Sequence, residues 1–292
     1  MSIMTSASSP AGRTEFFHPG PVPVPIAENG SNAGWRITVA DGPVIATAIH
    51  DGHAIRSSLR PFLALDAAQR LREEDPLTGW LGHVGDIRID VPVSRFQVDH
   101  NRPRAEAVYR TPQDCWGLSL WRTPLPEAEL QQSLADWDRF RAMVGELIER
   151  LLARWQALLV IDLHSYNHRR DGSDGAPAPQ AENPDIELGL TTADPQHWRG
   201  VCEQFADALR SVPVNGRQPD VRANVRFPTG GAFPEWIHAT WGPRVCTISP
   251  EYKKVFMDEH SGQADIAALH ALREGLQGAV DAVRPQFLRR RS

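Results

Sequence analysis

Two short apolar runs, each followed directly by a histidine, constrain the fold of this sequence more than any other feature. Residues 43–49 read PVIATAI and lead into His50, and residues 157–163 read ALLVIDL and lead into His164. Apolar runs of this length, rich in β-branched residues, are typical of strands buried on both faces of a sheet. Such a sheet needs helices packed against each face, so the two runs predict an α/β fold.

Amphipathic helices are predicted around these strands. Apolar residues recur every four positions ahead of the second run, at Met143, Leu147, Leu151 and Trp155, as on the buried face of a helix. Further predicted elements are short strands at 87–91 and 95–98, a last central strand at 245–249, one long or two broken helices at 128–154, and helices at 196–212 and 265–283. The predicted architecture is an open, mixed, largely parallel central sheet flanked by helices. The ligand crevice of such a sheet lies beyond the carboxyl ends of its strands, so His50 and His164 should face one crevice.

The length and composition favour one compact domain. The 292 residues are 41% hydrophobic and 23% charged, which is ordinary for a globular chain. Residues 1–25 are rich in Ser, Gly and Pro and are expected to form a flexible lead-in. No segment in the middle of the chain resembles a linker, so residues 26–292 are predicted to fold together.

Charge and cysteine content narrow the class of partner. Thirty-one Lys and Arg against thirty-six Asp and Glu give a net charge of −5, so no basic field favours nucleic acid. No apolar run approaches the roughly 18 residues of a membrane span, and the three cysteines are too isolated for a disulfide framework or a thiolate zinc site. We expect a cytoplasmic protein that acts on a small molecule, with a homo-oligomer left open.

Polar clusters follow the predicted strands and carry metal-ligating residue types. A hydrolytic zinc site takes three imidazole or carboxylate ligands from the protein and leaves a fourth position open. His50, His164 and an acid from Glu74 or Asp75 would supply that set. The alternatives are hydrogen-bonded structural histidines and a solvated charged face. Asp162, two residues before His164, either forms a turn or fixes the tautomer of the imidazole.

Three arginines lie close together in the segment SRFQVDHNRPR at residues 94–104. Arg95, Arg102 and Arg104 carry planar guanidinium groups, which can hold a substrate carboxylate through two hydrogen bonds. The alternative is that they form ion pairs with Asp99 or with the acidic residues near position 74. The residues alone do not decide between these interpretations.

Taken together, these segments resemble the N-formylglutamate amidohydrolase family, zinc hydrolases related in fold to the zinc carboxypeptidases and aspartoacylases. The resemblance extends from about Ala46 to about Gly262. It is carried by IHDGH at 49–53, REEDP at 72–76, SRFQVDHNRP at 94–103, DLHSYN at 162–167, GG at 230–231 and EYKKVFMDE at 251–259.

The resemblance implies a zinc ion held by His50, His164 and an acid. Asp75 ranks ahead of Glu74 as the third ligand, because similar sequences usually keep an acid there. In the related carboxypeptidases and aspartoacylases the acidic ligand instead lies three residues after the first histidine. This sequence has His53 at that position, which leaves His53 as an alternative ligand or a hydrogen-bond donor to one.

The resemblance also implies a general base, Glu251, which would relay a proton from water to the leaving amine. A surface glutamate paired with Lys253 or Lys254 is the alternative. Pro250, directly before it, departs from the apolar residue usual in a central strand and could redirect the side chain.

The substrate implied is N-formyl-L-glutamate, cleaved to formate and glutamate. Asn101 and Arg102 resemble a pair that grips a terminal carboxylate, and Arg95 would polarise the scissile carbonyl or hold a second carboxylate. Two alternatives remain open. One is a metal-dependent deacylase or carboxypeptidase for another N-acyl amino acid or short peptide, and the other is a non-catalytic ligand-binding relative.

Overall fold

The computed structural model describes residues 34–290, and the predicted lead-in at residues 1–25 lies outside them. The strands are β1 Arg36–Val39, β2 Val44–Ala48, β3 Ile87–Asp90, β4 Leu158–Asp162, β5 His164–Tyr166, β6 Ile186–Gly189, β7 Val221–Ala223 and β8 Val245–Lys253. The α-helices are α1 Ala67–Glu73, α2 Thr78–Leu81, α3 Glu127–Leu152, α4 Pro195–Ser211, α5 Ala232–Trp241 and α6 Ile266–Val283. Short 3-10 turns connect several of these elements.

One mixed sheet holds the molecule together. Its strand order is β1-β3-β2-β4-β8-β6-β7, and β5 pairs with β8. The central strands β3, β2, β4 and β8 are parallel to one another, whereas β1 pairs antiparallel with β3 and β6 pairs antiparallel with β8. The prediction of an open, mixed, largely parallel sheet is therefore confirmed.

Both faces of the central strands are buried, as the apolar runs predict. Val44 and Ala46 of β2 belong to a core cluster that includes residues of α4 and α6. Ile45, between them, points to the other side, where it joins a cluster with residues of α3 and α5. Successive side chains of a strand point to opposite faces, so each apolar run supplies two cores at once.

Two of the predicted strands differ in the structure. Residues 95–98 form a turn and not a strand, because Ser94 O accepts the backbone N–H groups of Gln97 and Val98 and curls the segment. The last central strand continues past position 249 to Lys253, because β5 and β6 offer it partners there.

The predicted helices are found close to their expected bounds, and α3 is a single unbroken helix. The segment 167–184 is irregular apart from a 3-10 turn at Gln180–Glu182. Within residues 34–290, no helix combines the length and the hydropathy that crossing a bilayer requires.

Candidate active site

A cavity of about 500 Å³ opens beyond the carboxyl ends of the central strands, and both strand-end histidines line it. His50 lies two residues after β2, and His164 is the first residue of β5, directly beyond β4. Because β2 and β4 are parallel neighbours, their carboxyl ends meet at the same edge of the sheet. The expected shared crevice is present.

His50, Asp75 and His164 form a tight buried cluster in the floor of this cavity. One nitrogen or oxygen atom from each lies within 4.8 Å of the others. Oδ2 of Asp75 is 3.1 Å from Nδ1 of His164 and 3.3 Å from Nδ1 of His50. Asp75 follows the end of α1, and its backbone N–H donates to the carbonyl of His50 at 2.9 Å, which holds the carboxylate beside the two rings.

Buried carboxylates fix the orientation of both imidazoles. Nε2 of His50 lies 2.8 Å from Oδ1 of Asp99, and Nε2 of His164 lies 2.9 Å from Oδ2 of Asp162. A carboxylate only accepts hydrogen bonds, so each ring donates from Nε2. In the neutral form of each ring, Nδ1 then keeps the lone pair that a metal ion can take, on the side that faces Asp75. Asp162 thus takes the tautomer-fixing position rather than forming a turn.

This donor set fits a catalytic zinc ion. Two neutral imidazole nitrogens and one carboxylate oxygen are a known ligand combination of catalytic zinc. Nδ1 of His50 is buried and makes no hydrogen bond to any described residue. A buried lone pair without a donor is costly, and a metal ion would satisfy it.

Electrostatic interactions keep Asp75 of the cluster and the neighbouring Asp99 ionised. Burial alone would raise the pKa of Asp75, but the adjacent imidazoles of His164 and His50 outweigh it and hold that pKa below its usual range. Burial acts on Asp99 in the same way, but the charge of Arg95 and the contact with His50 lower the pKa of Asp99 well below its usual range.

Glu251 also lines the cavity, on β8 next to the cluster. The strand register places Glu251 opposite His164. Burial raises the pKa of Glu251 to about 7, although the nearby His164 partly offsets this effect. Nζ of Lys253 donates to Gln180 and Asp185, and Nζ of Lys254 donates to the backbone carbonyl of Glu74. Neither lysine therefore takes Glu251 as a partner.

Pro250 does not divert Glu251 from the cavity. The β8 register runs unchanged on either side of it, with Ile248 opposite Ile161 and Glu251 opposite His164. Pro250 lacks a backbone N–H, and it falls at the junction where β4 ends and β5 begins. The proline therefore interrupts the ladder only at this junction.

Glu74 and His53, the alternative ligands, are not part of the cluster. Oε2 of Glu74 lies 2.5 Å from Nδ1 of His53, and the other carboxylate oxygen accepts from the hydroxyl of Ser94. Both side chains are thus engaged with each other, and neither lines the cavity.

Arg95 lines the cavity and is held by three groups. Its Nη2 donates to Asp99 at 2.8 Å, and its Nε donates to the hydroxyl of Tyr109 at 3.2 Å. The indole of Trp116 covers the guanidinium, with its ring centroid 4.8 Å from Cζ. No described residue accepts from Nη1 of Arg95, which leaves that nitrogen for a substrate.

Arg102 and Asn101 line the same wall. Arg102 makes a loose, exposed ion pair with Glu106, at 3.7 Å, of a kind worth little. Oδ1 of Asn101 accepts a hydrogen bond from the backbone N–H of Phe233. The backbone carbonyl of Asn101 accepts one from the N–H of Ala232. Asn101 therefore anchors the start of α5, and no described residue accepts from its Nδ2.

Arg104 lies outside the cavity. Its guanidinium makes two hydrogen bonds to the carboxylate of Asp138 on α3, at 2.7 and 2.8 Å. Both side chains are about half exposed. The ion-pair alternative is thus the observed one for this arginine.

Three further residues of the cavity wall were not predicted as site residues: Trp116, Arg170 and Lys254. Trp116 has a left-handed backbone conformation, with φ of 51°. Nζ of the buried Lys254 donates to the carbonyl oxygens of Arg72 and Glu74 and to Oδ1 of Asn167. Lys254 thereby joins the end of α1, just before Asp75, to the end of the β5 segment, which begins with His164.

Comparison with known proteins points to one family. A family model described as N-formylglutamate amidohydrolase matches residues 42–246, more than two thirds of the chain. No curated protein matches at a significant level.

Two solved structures share the fold. The N-formylglutamate amidohydrolase from Ralstonia eutropha JMP134 aligns with a TM-score of 0.66 and 19% identity, over 87% of this chain and 100% of that chain. A gene product from Agrobacterium tumefaciens aligns with a TM-score of 0.57 and 19% identity, over 86% of this chain and 96% of that chain. A putative carboxypeptidase A from Shewanella denitrificans OS-217 aligns with a TM-score of 0.38 and 14% identity, over 87% and 61%.

Proposed function

The chain belongs to the N-formylglutamate amidohydrolase family, and we propose that it cleaves N-formyl-L-glutamate to formate and glutamate with one bound zinc ion. The family membership confirms the resemblance predicted from the sequence and makes the protein an amide-bond hydrolase. The proposal adds the metal, the substrate and the roles of individual residues.

The cluster of His50, Asp75 and His164 carries the proposal. Its two imidazoles are held by buried carboxylates so that both Nδ1 atoms face Asp75. A zinc ion bound there would supply a Lewis acid and activate water for attack. Asp99 and Asp162 would keep the ligands oriented, which catalytic metal sites commonly require of their outer hydrogen bonds.

Glu251 is assigned the proton transfer. Water attacks the formyl carbon, and Glu251 accepts a proton from that water through its carboxylate. When the bond between carbon and nitrogen breaks, Glu251 delivers the proton to the leaving nitrogen, which gives formate and the free amine of glutamate. A carboxylate whose pKa is raised to about 7 by burial can both accept and donate a proton near neutral pH.

The arginines orient the substrate and stabilise charge. Nη1 of Arg95 would stabilise the negative charge that develops on the formyl oxygen. Arg102 and the amide of Asn101 would bind the α-carboxylate, since a guanidinium and a carboxylate form two parallel hydrogen bonds. To bind this carboxylate, Arg102 would give up only a weak ion pair with Glu106.

Metal analysis and a formate-release assay test the metal and the substrate together. We expect about one zinc per chain and release of formate from N-formylglutamate faster than acyl release from the N-acetyl and N-succinyl analogues. His164→Ala should lose both metal and activity. His197→Ala removes an exposed histidine of α4 and should keep both. A purified protein without stoichiometric metal, whose amidase activity survives His164→Ala, contradicts the proposal.

Replacement of Glu251 tests its catalytic role separately. Glu251→Gln should lower kcat by about 10²- to 10⁴-fold, as expected for loss of a general base, while the zinc content stays at the wild-type value. Glu274→Gln, at an exposed position of α6, should leave kcat unchanged. An unchanged kcat in Glu251→Gln would contradict this role of Glu251, whereas a zinc-loaded wild type that hydrolyses no substrate would favour a non-catalytic ligand-binding protein.

A further inference from the structure

Arg170 lies at the mouth of the cavity on a segment whose start is firmly anchored. Glu259 is only 3% exposed, and its carboxylate accepts the backbone N–H groups of His168 and Arg169 at 2.8 and 2.9 Å. The carbonyl of Arg169 accepts from Nη2 of Arg72 at 3.0 Å and from Nε2 of His260 at 3.1 Å. The peptide directly before Arg170 is thus held on both sides.

The side chain of Arg170 differs from the other two arginines that line the cavity. Arg95 is committed to Asp99, and Arg102 faces Glu106. Arg170 is exposed, and within the described chain no residue forms an ion pair or a hydrogen bond with its guanidinium. An unpaired cation on a fixed backbone at a cavity mouth is a ready site for an anion.

The surroundings of Arg170 reinforce this character. Burial lowers the pKa of Arg226, and the positive charge of the nearby Arg170 lowers it further. Arg226 itself is stacked on the rings of Tyr166 and Phe227, at 4.7 and 5.4 Å. Phe227 and Arg170 both line the cavity, so positive charge extends along this wall.

We propose that Arg170 is a specificity-determining residue that binds the second carboxylate of the substrate, the one at the end of its side chain. The inference rests on the proposed function, in which Arg102 and Asn101 take the α-carboxylate. Arg102 and Arg170 reach the cavity from the segments that follow β3 and β5, and β2 with its His50 lies between those strands. A dicarboxylate with its formyl group at the cluster would therefore meet one guanidinium on each side.

Paired substrates that differ only in this charge test the inference. N-formylglutamine has the shape of N-formylglutamate but a neutral side-chain end. In Arg170→Gln, kcat/KM for N-formylglutamate should fall about 10- to 100-fold, the loss typical of a hydrogen bond to a charged group, and kcat/KM for N-formylglutamine should change less than about 3-fold. Arg170→Lys should restore part of the loss. Arg199→Gln, at an exposed arginine of α4, should behave as wild type with both substrates.

Two results would overturn the inference: an equal loss with both substrates in Arg170→Gln, or no loss with either. A binding measurement separates this failure from failure of the proposed function. Calorimetry on the zinc-loaded protein should show that glutarate, but not butyrate, binds about 10-fold more weakly to Arg170→Gln than to wild type. If the wild type hydrolyses no N-formyl amino acid, the proposed function fails, and unaltered glutarate binding in Arg170→Gln overturns the role of Arg170 on its own.

Discussion

At the scale of single residues, Asp99 has the widest influence on the site. Its fully buried carboxylate accepts hydrogen bonds from Nε2 of His50, Nη2 of Arg95 and the backbone N–H of Asn101, each at 2.8 Å, and from the hydroxyl of Tyr109. One side chain thus orients a proposed metal ligand, a proposed oxyanion donor and a proposed substrate-binding segment.

Asp99→Asn is expected to weaken zinc binding while preserving the fold. The amide keeps the volume of the carboxylate but loses the charge that favours the Nε2–H tautomer of His50, and such outer-sphere changes typically cost about 10- to 100-fold in metal affinity. Competition with a chelator measures this change. Asp138→Asn, which removes the exposed partner of Arg104, is the matched control. Equal zinc affinity in the two variants would contradict the tautomer-fixing role of Asp99.

At the scale of elements, the ends of two strands and of α1 bring the cluster together, and connecting segments form much of the cavity wall. His50 and His164 could be predicted from sequence, because a local apolar run fixes where a buried strand ends. Residues 95–98 were wrongly predicted as a strand, because the alternation in RFQV looks extended while hydrogen bonds to Ser94 turn the chain.

The remaining site residues depend on contacts that local pattern does not encode. The sequence does not show on which side of the 99–104 segment each arginine lies, and the structure turns Arg104 toward Asp138. Arg170 and Lys254 join the cavity only through long-range contacts, such as the bonds of Lys254 to Arg72 and Glu74. The short strands β5, β6 and β7 were missed for the same reason, because their pairing with distant segments defines them.

A close approach between two segments makes Gly231 necessary. A Cβ atom at Gly231 would lie 2.1 Å from Oδ1 of Asn101 and 2.4 Å from its Nδ2. The side chain of Asn101 cannot retreat without breaking its bond to Phe233. The start of α5 and the proposed α-carboxylate site are therefore coupled.

Gly231→Ala should displace Asn101 and raise KM for N-formylglutamate about 10-fold, a cost close to that of one lost hydrogen bond to a charged group. Steady-state kinetics provide the measurement. At Gly200 of α4 no heavy atom lies within 4 Å of an added Cβ, so Gly200→Ala should leave KM unchanged and stabilise the fold by about 0.5–1 kcal/mol. A wild-type KM in Gly231→Ala would show that Asn101 does not contact the substrate.

At the scale of the whole molecule, buried and partly buried acids join segments that are far apart in sequence. Asp86 accepts from the backbone N–H of Val44 and from Nη1 of Arg284, which joins the start of β2 to the end of α6. Asp185 accepts from both terminal nitrogens of Arg217 and from the N–H of Asp220, beside the short strands β6 and β7.

The Asp185 contacts should make stability depend on pH. Burial would raise the pKa of Asp185, but the bonds from Arg217 and Asp220 outweigh it and lower that pKa from 3.8 to about 2. A depressed folded-state pKa adds stability above the unfolded value, which is lost as pH falls toward 2. Because Arg217 is more than half exposed, we expect a contribution of about 1 to 2 kcal/mol at pH 7.

Urea unfolding of Asp185→Asn and wild type tests this expectation. The difference in unfolding free energy should be full at pH 7 and should shrink between about pH 4 and pH 2, where the wild type itself becomes protonated. Asp207→Asn, which removes an exposed partner of Arg210, should cost little at any pH. A difference for Asp185→Asn that does not vary with pH would show that its loss acts through packing.

The cluster and the walls around it lie on different parts of the chain, and this separation matters for protein engineering. His50 and His164 belong to the rigid centre of the sheet, whereas Trp116, Arg170 and Gly230 reach the cavity from surface connections. Libraries confined to those connections can therefore sample new acyl groups and side chains without changing the proposed metal-binding cluster. The same arrangement offers natural selection a route to divergent substrates on one unchanged scaffold.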